Sequence, residues 1–263
     1  MIIKLIDQKI RKAFSDAAMQ YDVLTGLHKE IGRELTGKIR HCEPCGRILD
    51  IGMGTGWFTG RLANMFPEAM VVGVDSAPGM ISLAREKQEA FTIVQADAAR
   101  LPFQDGTFDI ITSNLAYQWV GGLAQAMAQC RSQLTADGTL CFTMFGYNTL
   151  KELFEALERC SDVSGKDKEV VFSRLADDQQ AAQALREAGF QAVQVDAERI
   201  KVRFEDMMSL VKWVKDIGAN ALPRDTYIGK DLLLRADEYY NAHFRDRLGV
   251  YATFEVIWVH ARR

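Results

Sequence analysis

The chain has 263 residues, 48% of them hydrophobic and 25% charged, with a formal net charge of -3. That length supplies a sizeable core, no apolar stretch reaches the ~18 residues of a membrane helix, and the acidic balance argues against general nucleic-acid binding. The N-terminus meets charge at Lys4, too early for a signal peptide, and five cysteines, an odd number, suit reduced thiols; a cytoplasmic protein is expected.

Charge is unevenly spread. Residues 1–40 and 199–263 each carry a net +3, which leaves −9 for the middle. This suits either an acidic partner docking on the two ends or scattered surface charge. Residues 4–22 are expected to be helical, with Phe14, Ala17, Ala18 and Tyr21 on one face. A second helix, about Gly26 to Ile39, repeats Leu27, Ile31, Leu35 and Ile39 every four residues. Residues 1–40 thus read as an N-terminal helical arm. Cys42 and Cys45 follow as a lone Cys-x-x-Cys. With no second pair or His cluster it makes a poor zinc site, and the two read as loop thiols.

The apolar run Ile48-Leu49-Asp50-Ile51 ends in Gly52, Gly54 and Gly56, and a helical pattern starts at Phe58. A buried strand therefore turns sharply into a helix, and glycine lets a ligand approach the backbone closely. Ala69–Asp75, Phe91–Asp97, Phe108–Asn114 and Thr139–Phe145 read as four further strands. Helices about Pro78–Gln88 and Gly122–Leu134 lie between them, and Asp137-Gly138 reads as a turn. Apolar runs alternating with amphipathic helices predict a parallel sheet covered on both faces.

Beyond Leu150, a helix to Ser161, a polar loop at 164–169 and a helix Asp177–Ala188 lead to a long strand, Phe190–Phe204. Residues 205–217 and 226–248 are expected to be helical with no strand between them, before a last strand, Val250–His260. Such a long excursion is usually functional. The core is therefore assigned to 45–204 and 250–263, and 205–248 to a helical lid over the sheet's carboxyl edge.

Two ligands compete for the glycine turn. A dinucleotide site reads G-x-G-x-x-G, whereas these glycines alternate and Asp50 sits inside the strand. A carboxylate there repels a diphosphate and attracts an ammonium, which favours S-adenosylmethionine (SAM). Asp75 can accept two ribose hydroxyls, with Ser76 and Met80 placed beside it. Asp97 can accept from the adenine amine, and Ala98 can offer a backbone N–H. Gly52, Gly54, Gly56 and Asn114 complete the expected cofactor set.

With these motifs the sequence resembles the class I SAM-dependent methyltransferases over about residues 45–145. The resemblance implies an α/β fold with a Rossmann-like, seven-stranded, mostly parallel sheet whose last strand is antiparallel. On the acceptor side, Asn114, Tyr117, Gln118 and Trp119 include no good base at neutral pH. That favours an acceptor already nucleophilic, such as a carboxylate.

The arm Phe14–Asp22, the segment Asn114–Trp119 and the stretch Lys212–Asn220 are together similar to the BioC family, the malonyl-[acyl-carrier protein] O-methyltransferases of biotin synthesis. The resemblance implies methylation of the free malonyl carboxylate on acyl carrier protein or coenzyme A, with S-adenosylhomocysteine as product, no metal and an acidic carrier protein as partner. Leu27-His28 departs from the family, many members having Gln there, which leaves open whether His28 touches the ligand. Tyr21, Asn114, Gln118 and Trp119 are the expected positioning residues. Tyr21 either closes over the methionine moiety or packs the arm, and Trp119 either walls the methyl pocket or joins the core. Among the cations, Arg203, Lys212 and Arg224, with Lys201 beside them, either clamp the carboxylate, contact the carrier or are surface charges. His243 and His260 read as ordinary lid and strand residues. The same core motifs suit a quinone C-methylating or trans-aconitate type of methyltransferase, and the missing base suits a SAM-binding partner protein without turnover.

Overall fold

In the computed structural model, residues 2–40, 42, 46–87, 90–161, 175–219 and 228–263 are described. The apolar runs form strands β1 (Arg47–Ile51), β2 (Met70–Asp75), β3 (Thr92–Gln95), β4 (Phe108–Asn114) and β5 (Leu134–Phe145), paired in parallel in the order β3-β2-β1-β4-β5. Beyond them β8 (Gly249–Arg262) pairs antiparallel with β5, and β6 (Gln191–Phe204) pairs antiparallel with β8. Parallel pairing requires crossovers, and α3 (Trp57–Met65), α4 (Pro78–Glu86) and α5 (Leu123–Gln133) provide them.

Neighbouring strand residues bury on opposite faces, as the period of two demands. Ile48, Ile110 and Cys141 join one core with α2 (Gly26–Ile39), α6 (Lys151–Cys160), α8 (Met207–Asp216) and α9 (Lys230–His243). Leu49, Ile111, Leu140 and Phe142 join the other with α5 and α7 (Asp178–Glu187). Within α2 the expected stripe buries Ile31, Leu35 and Ile39 completely.

Three boundaries differ from expectation. The predicted helix 226–248 ends at His243, and Arg245–Asp246 form a two-residue strand, β7, that hairpins onto β8. Gly249 makes this turn at φ +116°, and Asp246 accepts the Leu248 amide at 2.9 Å. The eighth strand is therefore a short addition to a sheet of seven. Asp137-Gly138 is no turn but part of β5, whose pairing with β4 shifts between Phe108 and Ile110 to take up the irregularity. Strand β3 stops at Gln95, so Asp97 lies two residues past the strand end. The polar loop at 164–169 and Cys45 lie outside the described residues, as does Arg224. Among the described residues no helix is long and apolar enough to cross a membrane.

Candidate active site

The parallel strands end on one edge of the sheet, above a cavity of about 620 Å³. β1 brings Asp50 to this edge, and the chain then turns through Gly52 (φ +75°), Gly54 (+56°) and Gly56 (+84°). These glycines do different work. A Cβ on Gly52 would sit 2.3 Å from the Cβ of Ala116, and one on Gly56 would sit 2.7 Å from the Phe91 ring. Nothing stands within 4 Å of a Cβ on Gly54, so its position is open, although Gly52 lines the cleft with it. Gly56 caps α3 and lines neither this cleft nor the small cavity beside it, which corrects its place among the expected cofactor contacts.

Asp50 is 1% exposed and accepts from the Thr59 hydroxyl at 2.6 Å through Oδ2. Its Oδ1 finds no hydrogen-bond partner among the described residues. Burial, and secondarily the Asp75 charge against the Thr59 bond, pushes the carboxyl up to about 7. Asp50 faces a small adjoining cavity of about 50 Å³, which shares Tyr21, Gly52, Gly54 and Asn114 with the main cleft.

Asp75 ends β2 in the cleft. Its Oδ2 accepts from Gly54 N–H at 2.9 Å and its Oδ1 from Ala77 N–H at 2.8 Å. Each oxygen keeps acceptor capacity, since a carboxylate offers about four lone-pair sites. Burial raises this carboxyl, and the Ala77, Gly54 and Ser76 amides pull it back. Ser76 and the buried Met80 line the wall beside it, and Asp97 and Ala98 line the far end. Asp97 takes the Ala99 amide at 2.9 Å and an ion pair from Arg11 at 3.3 Å.

Arg11 belongs to α1 (Ile2–Leu24), which forms the roof of the cleft with Asp7, Gln8, Ile10, Phe14 and Tyr21. Asp22 fastens this helix to the glycine turn. It accepts from the Thr55 hydroxyl at 2.6 Å and from Lys87 at 2.8 Å, and Lys87 also donates to Thr55 O at 2.7 Å. Tyr21 lines both cavities, its hydroxyl raised by burial and then by Asp75 and Asp22. His28 edges Tyr21 at 6.0 Å and Phe145 at 5.6 Å and lines the small cavity. Burial lowers it to about 4, and its Nδ1 has no hydrogen-bond partner among the described residues.

On the β4 side, Asn114 donates to His28 O at 3.0 Å and accepts from the Thr143 hydroxyl at 3.0 Å. It therefore pins α2 to the sheet beside both cavities. Trp119, on a 3₁₀ turn (Tyr117–Trp119), lines the cleft with Phe14 edge-on at 5.3 Å. Gln118 does not face the cleft. Its amide donates to Leu115 O at 2.7 Å and accepts from Phe145 N–H, bracing a loop in which Leu115 takes φ +57°. The 3₁₀ turn sends adjacent side chains in different directions, which corrects Gln118 from a substrate contact to a support. Tyr117 is buried, its hydroxyl 2.9 Å from the Cys130 sulfur.

Of the expected cations, Arg203 and Lys212 are not brought here either. Arg203 lies on β6, beyond β5 and β8 at the far side of the sheet, and pairs with Asp246 at 2.5 Å. Lys212 is spent on Asp216, one turn along α8. Neither lines the cleft, nor does any described residue of α8 or α9. Instead α8 packs behind α1, its Trp213 donating to Leu24 O at 2.9 Å. The cleft's cations are Arg11 and Arg100. Arg11 and the Asp22 latch were missed because their partners lie 86, 33 and 65 positions away. The one sequence signal was the helical face that carries Phe14 and Tyr21.

The donor set fits SAM. A buried carboxylate oxygen with no partner suits an ammonium and repels a diphosphate, and Gly54 leaves room for close approach. Comparison with known proteins agrees. A family described as a methyltransferase domain matches residues 49–142. The malonyl-[acyl-carrier protein] O-methyltransferase of Methylococcus capsulatus is 33% identical over 255 residues, covering 93% of this chain and 90% of the relative. The protein of that name from Geobacter sulfurreducens is 32% identical over 266 residues, covering 97% and 98%. Among solved structures, the YcgJ protein of Bacillus subtilis superposes with a TM-score of 0.61 at 20% identity, covering 90% of this chain and 98% of that one. The chain is a SAM-dependent methyltransferase and belongs to the malonyl-[acyl-carrier protein] O-methyltransferase family.

Proposed function

We propose that the protein methylates the free carboxylate of a malonyl group carried on acyl carrier protein, giving the methyl ester and S-adenosylhomocysteine as an early step of biotin synthesis. The observation that carries this reading is the near-full-length similarity to relatives of that name. The acceptor side of the cleft supports it. Asn114, Leu115, Ala116, Trp119, Val120, Gly121 and Gln125 line that side, and none of them titrates. An amine or hydroxyl acceptor would call for a base, whereas a carboxylate is already ionised and nucleophilic at neutral pH.

In this reading Asp50 and the small cavity hold the methionine ammonium, and Gly52 and Gly54 let the ligand approach the turn. Asp75, with Ser76 and Met80, holds the ribose, while Asp97 and Ala98 receive the adenine. When bound, SAM supplies a methyl group activated by its sulfonium. The chain's own part is alignment and exclusion of water. Asn114 fixes the wall beside the methyl group, Tyr21 closes it from above, and Trp119 with Phe14 forms an apolar rim that keeps water from the attacking oxygen. The basic outer regions of the chain suit an acidic carrier, and the free thiols Cys42, Cys130, Cys141 and Cys160 suit the reducing cytoplasm. Incubation with malonyl-acyl carrier protein and SAM should yield a carrier heavier by one methyl group, seen by intact mass. No ester on either the carrier-protein or the coenzyme A thioester overturns the proposal.

A further inference from the structure

A second cluster of chemically active side chains lies away from the cleft. Cys141 on β5 and His260 on β8 are register partners across the antiparallel pair, so their side chains share one face. Cys42, in the turn that follows α2, reaches the same face. The two sulfurs and an imidazole nitrogen all lie within 4.8 Å of one another. Cys141 is 1% exposed, while Cys42 and His260 are half-buried and reachable from solvent. None of the three lines the SAM cleft.

We propose that Cys42, Cys141 and His260 bind a soft divalent metal ion, zinc by the chemistry of the set, in a site that ties the end of α2 to strands β5 and β8. Two thiolates and an imidazole are a zinc donor set, and hard oxygen-seeking cations such as magnesium are disfavoured by it. Bonds of roughly 2.3 Å to sulfur and 2.0–2.1 Å to nitrogen need ligand atoms slightly under 4 Å apart in a tetrahedron. The present spacing, within 4.8 Å, leaves about 1 Å to close, and half-buried Cys42 lies in a turn and not in the sheet. The cross-strand pair is held by the sheet, so the two ligands least able to move are already placed.

Charge and protonation are consistent. Coordination replaces one proton on each thiol by the dication, so the site gains no net charge beside Lys38 and Arg262. The position explains a purpose. Helix α2 carries His28, whose carbonyl takes the Asn114 amide, in its first turn and leads at its other end into the turn that holds Cys42. A metal at one end of α2 would fix the helix whose other end borders the small cavity.

The test uses the untagged full-length chain, stripped of metal under anaerobic reducing conditions and titrated with Co²⁺. One equivalent should bind with an intense near-ultraviolet sulfur-to-cobalt band, and Zn²⁺ should displace it. Cys42→Ser and His260→Ala should each weaken binding roughly hundredfold, whereas Cys160→Ser on α6 should leave it unchanged. Because a substitution can unfold the chain, alkylation of the wild type gives a second reading. Zn²⁺ should protect Cys42 and Cys141, and not Cys160, from iodoacetamide as mapped by peptide mass. Absence of the cobalt band at stoichiometric metal overturns the proposal. So does a band that survives in both variants, equal alkylation of Cys42 with and without Zn²⁺, or a Cys42–Cys141 disulfide that forms while no metal binds.

Discussion

Asp50 couples ligand binding to stability with opposite signs, and Asp50→Asn separates the two. In the free protein its carboxyl is raised from the ordinary 3.8 to about 7, chiefly by burial. A raised folded-state value means the native chain holds a proton that the unfolded chain has released. The group therefore costs nothing below pH ~4, costs progressively more as pH rises, and costs most above about 7. At about 1.4 kcal/mol per pH unit the full gap amounts to about 4 kcal/mol, an upper bound because the asparagine amide must also be accommodated. About half of it, ~2 kcal/mol, develops between pH 5.5 and 8. Asn retains an oxygen to accept from Thr59. Without ligand, Asp50→Asn should thus melt higher than the wild type at pH 8, and its advantage should shrink by roughly 4–8 °C on going to pH 5.5. Calorimetric titration with SAM should show the reverse: roughly 10- to 150-fold weaker binding at pH 8, the worth of a hydrogen bond to a charge. Wild-type affinity should itself fall about tenfold per pH unit below about 7, as the carboxylate is lost. A variant that melts lower than the wild type at pH 8, or that binds SAM as tightly, refutes the reasoning.

Three further outcomes follow from the same geometry. Gly54→Ala should cost only the left-handed strain of about 1–2 kcal/mol in stability while weakening SAM binding, whereas Gly52→Ala, whose Cβ meets Ala116 at 2.3 Å, should cost roughly 2–5 kcal/mol; urea melts and SAM titrations distinguish them. Asp75→Ala should weaken SAM binding by about 1.5–3 kcal/mol by calorimetry, and an unchanged affinity would sink the ribose assignment. Asp22→Asn removes a half-exposed ion pair to Lys87 worth about 1 kcal/mol, so the KM for SAM should rise about fivefold and trypsin should cut α1 sooner; an unchanged cleavage rate argues against the latch.

The legible parts of this protein are those encoded by neighbours in sequence. The strand, the alternating glycines and the buried acid of Arg47–Gly56 are a local pattern, and the structure keeps them as read. The sheet followed from the same logic, because each buried parallel strand is a continuous apolar run. What could not be read depends on where distant segments meet. Arg203 looked like a carboxylate clamp, but strand order carries it past β5 and β8 to pair with Asp246. Gln118 directly precedes the cleft residue Trp119 in sequence and still faces inward, because a 3₁₀ turn rather than a strand carries it. His260 read as an ordinary strand residue, since only the β5–β8 register places it opposite Cys141. Arg11 gave no signal at all, its partner Asp97 being set by how α1 crosses the sheet edge.

The roof is the largest consequence of that crossing. Helix α1 touches the turn through Asp22 and Thr55, the far end of the cleft through Arg11 and Asp97, and the small cavity through Tyr21. Yet among the described residues its apolar anchorage is a separate small cluster in which Ala18 packs with Ala77 and Met80, bordered by Phe14, Tyr21 and Leu83, and not either of the two main cores. Its polar ties are half-exposed and individually weak. Elements with few buried contacts open at lower free energy than the cores beneath them. A ligand that fills the cleft adds contacts to the roof and none to the sheet's interior, so its binding energy falls on the least stable element. Closure over a bound ligand would then fall to α1, since no described residue of α8 or α9 lines the cleft. The C-terminal excursion packs behind α1, where Trp213 donates to Leu24 O at 2.9 Å.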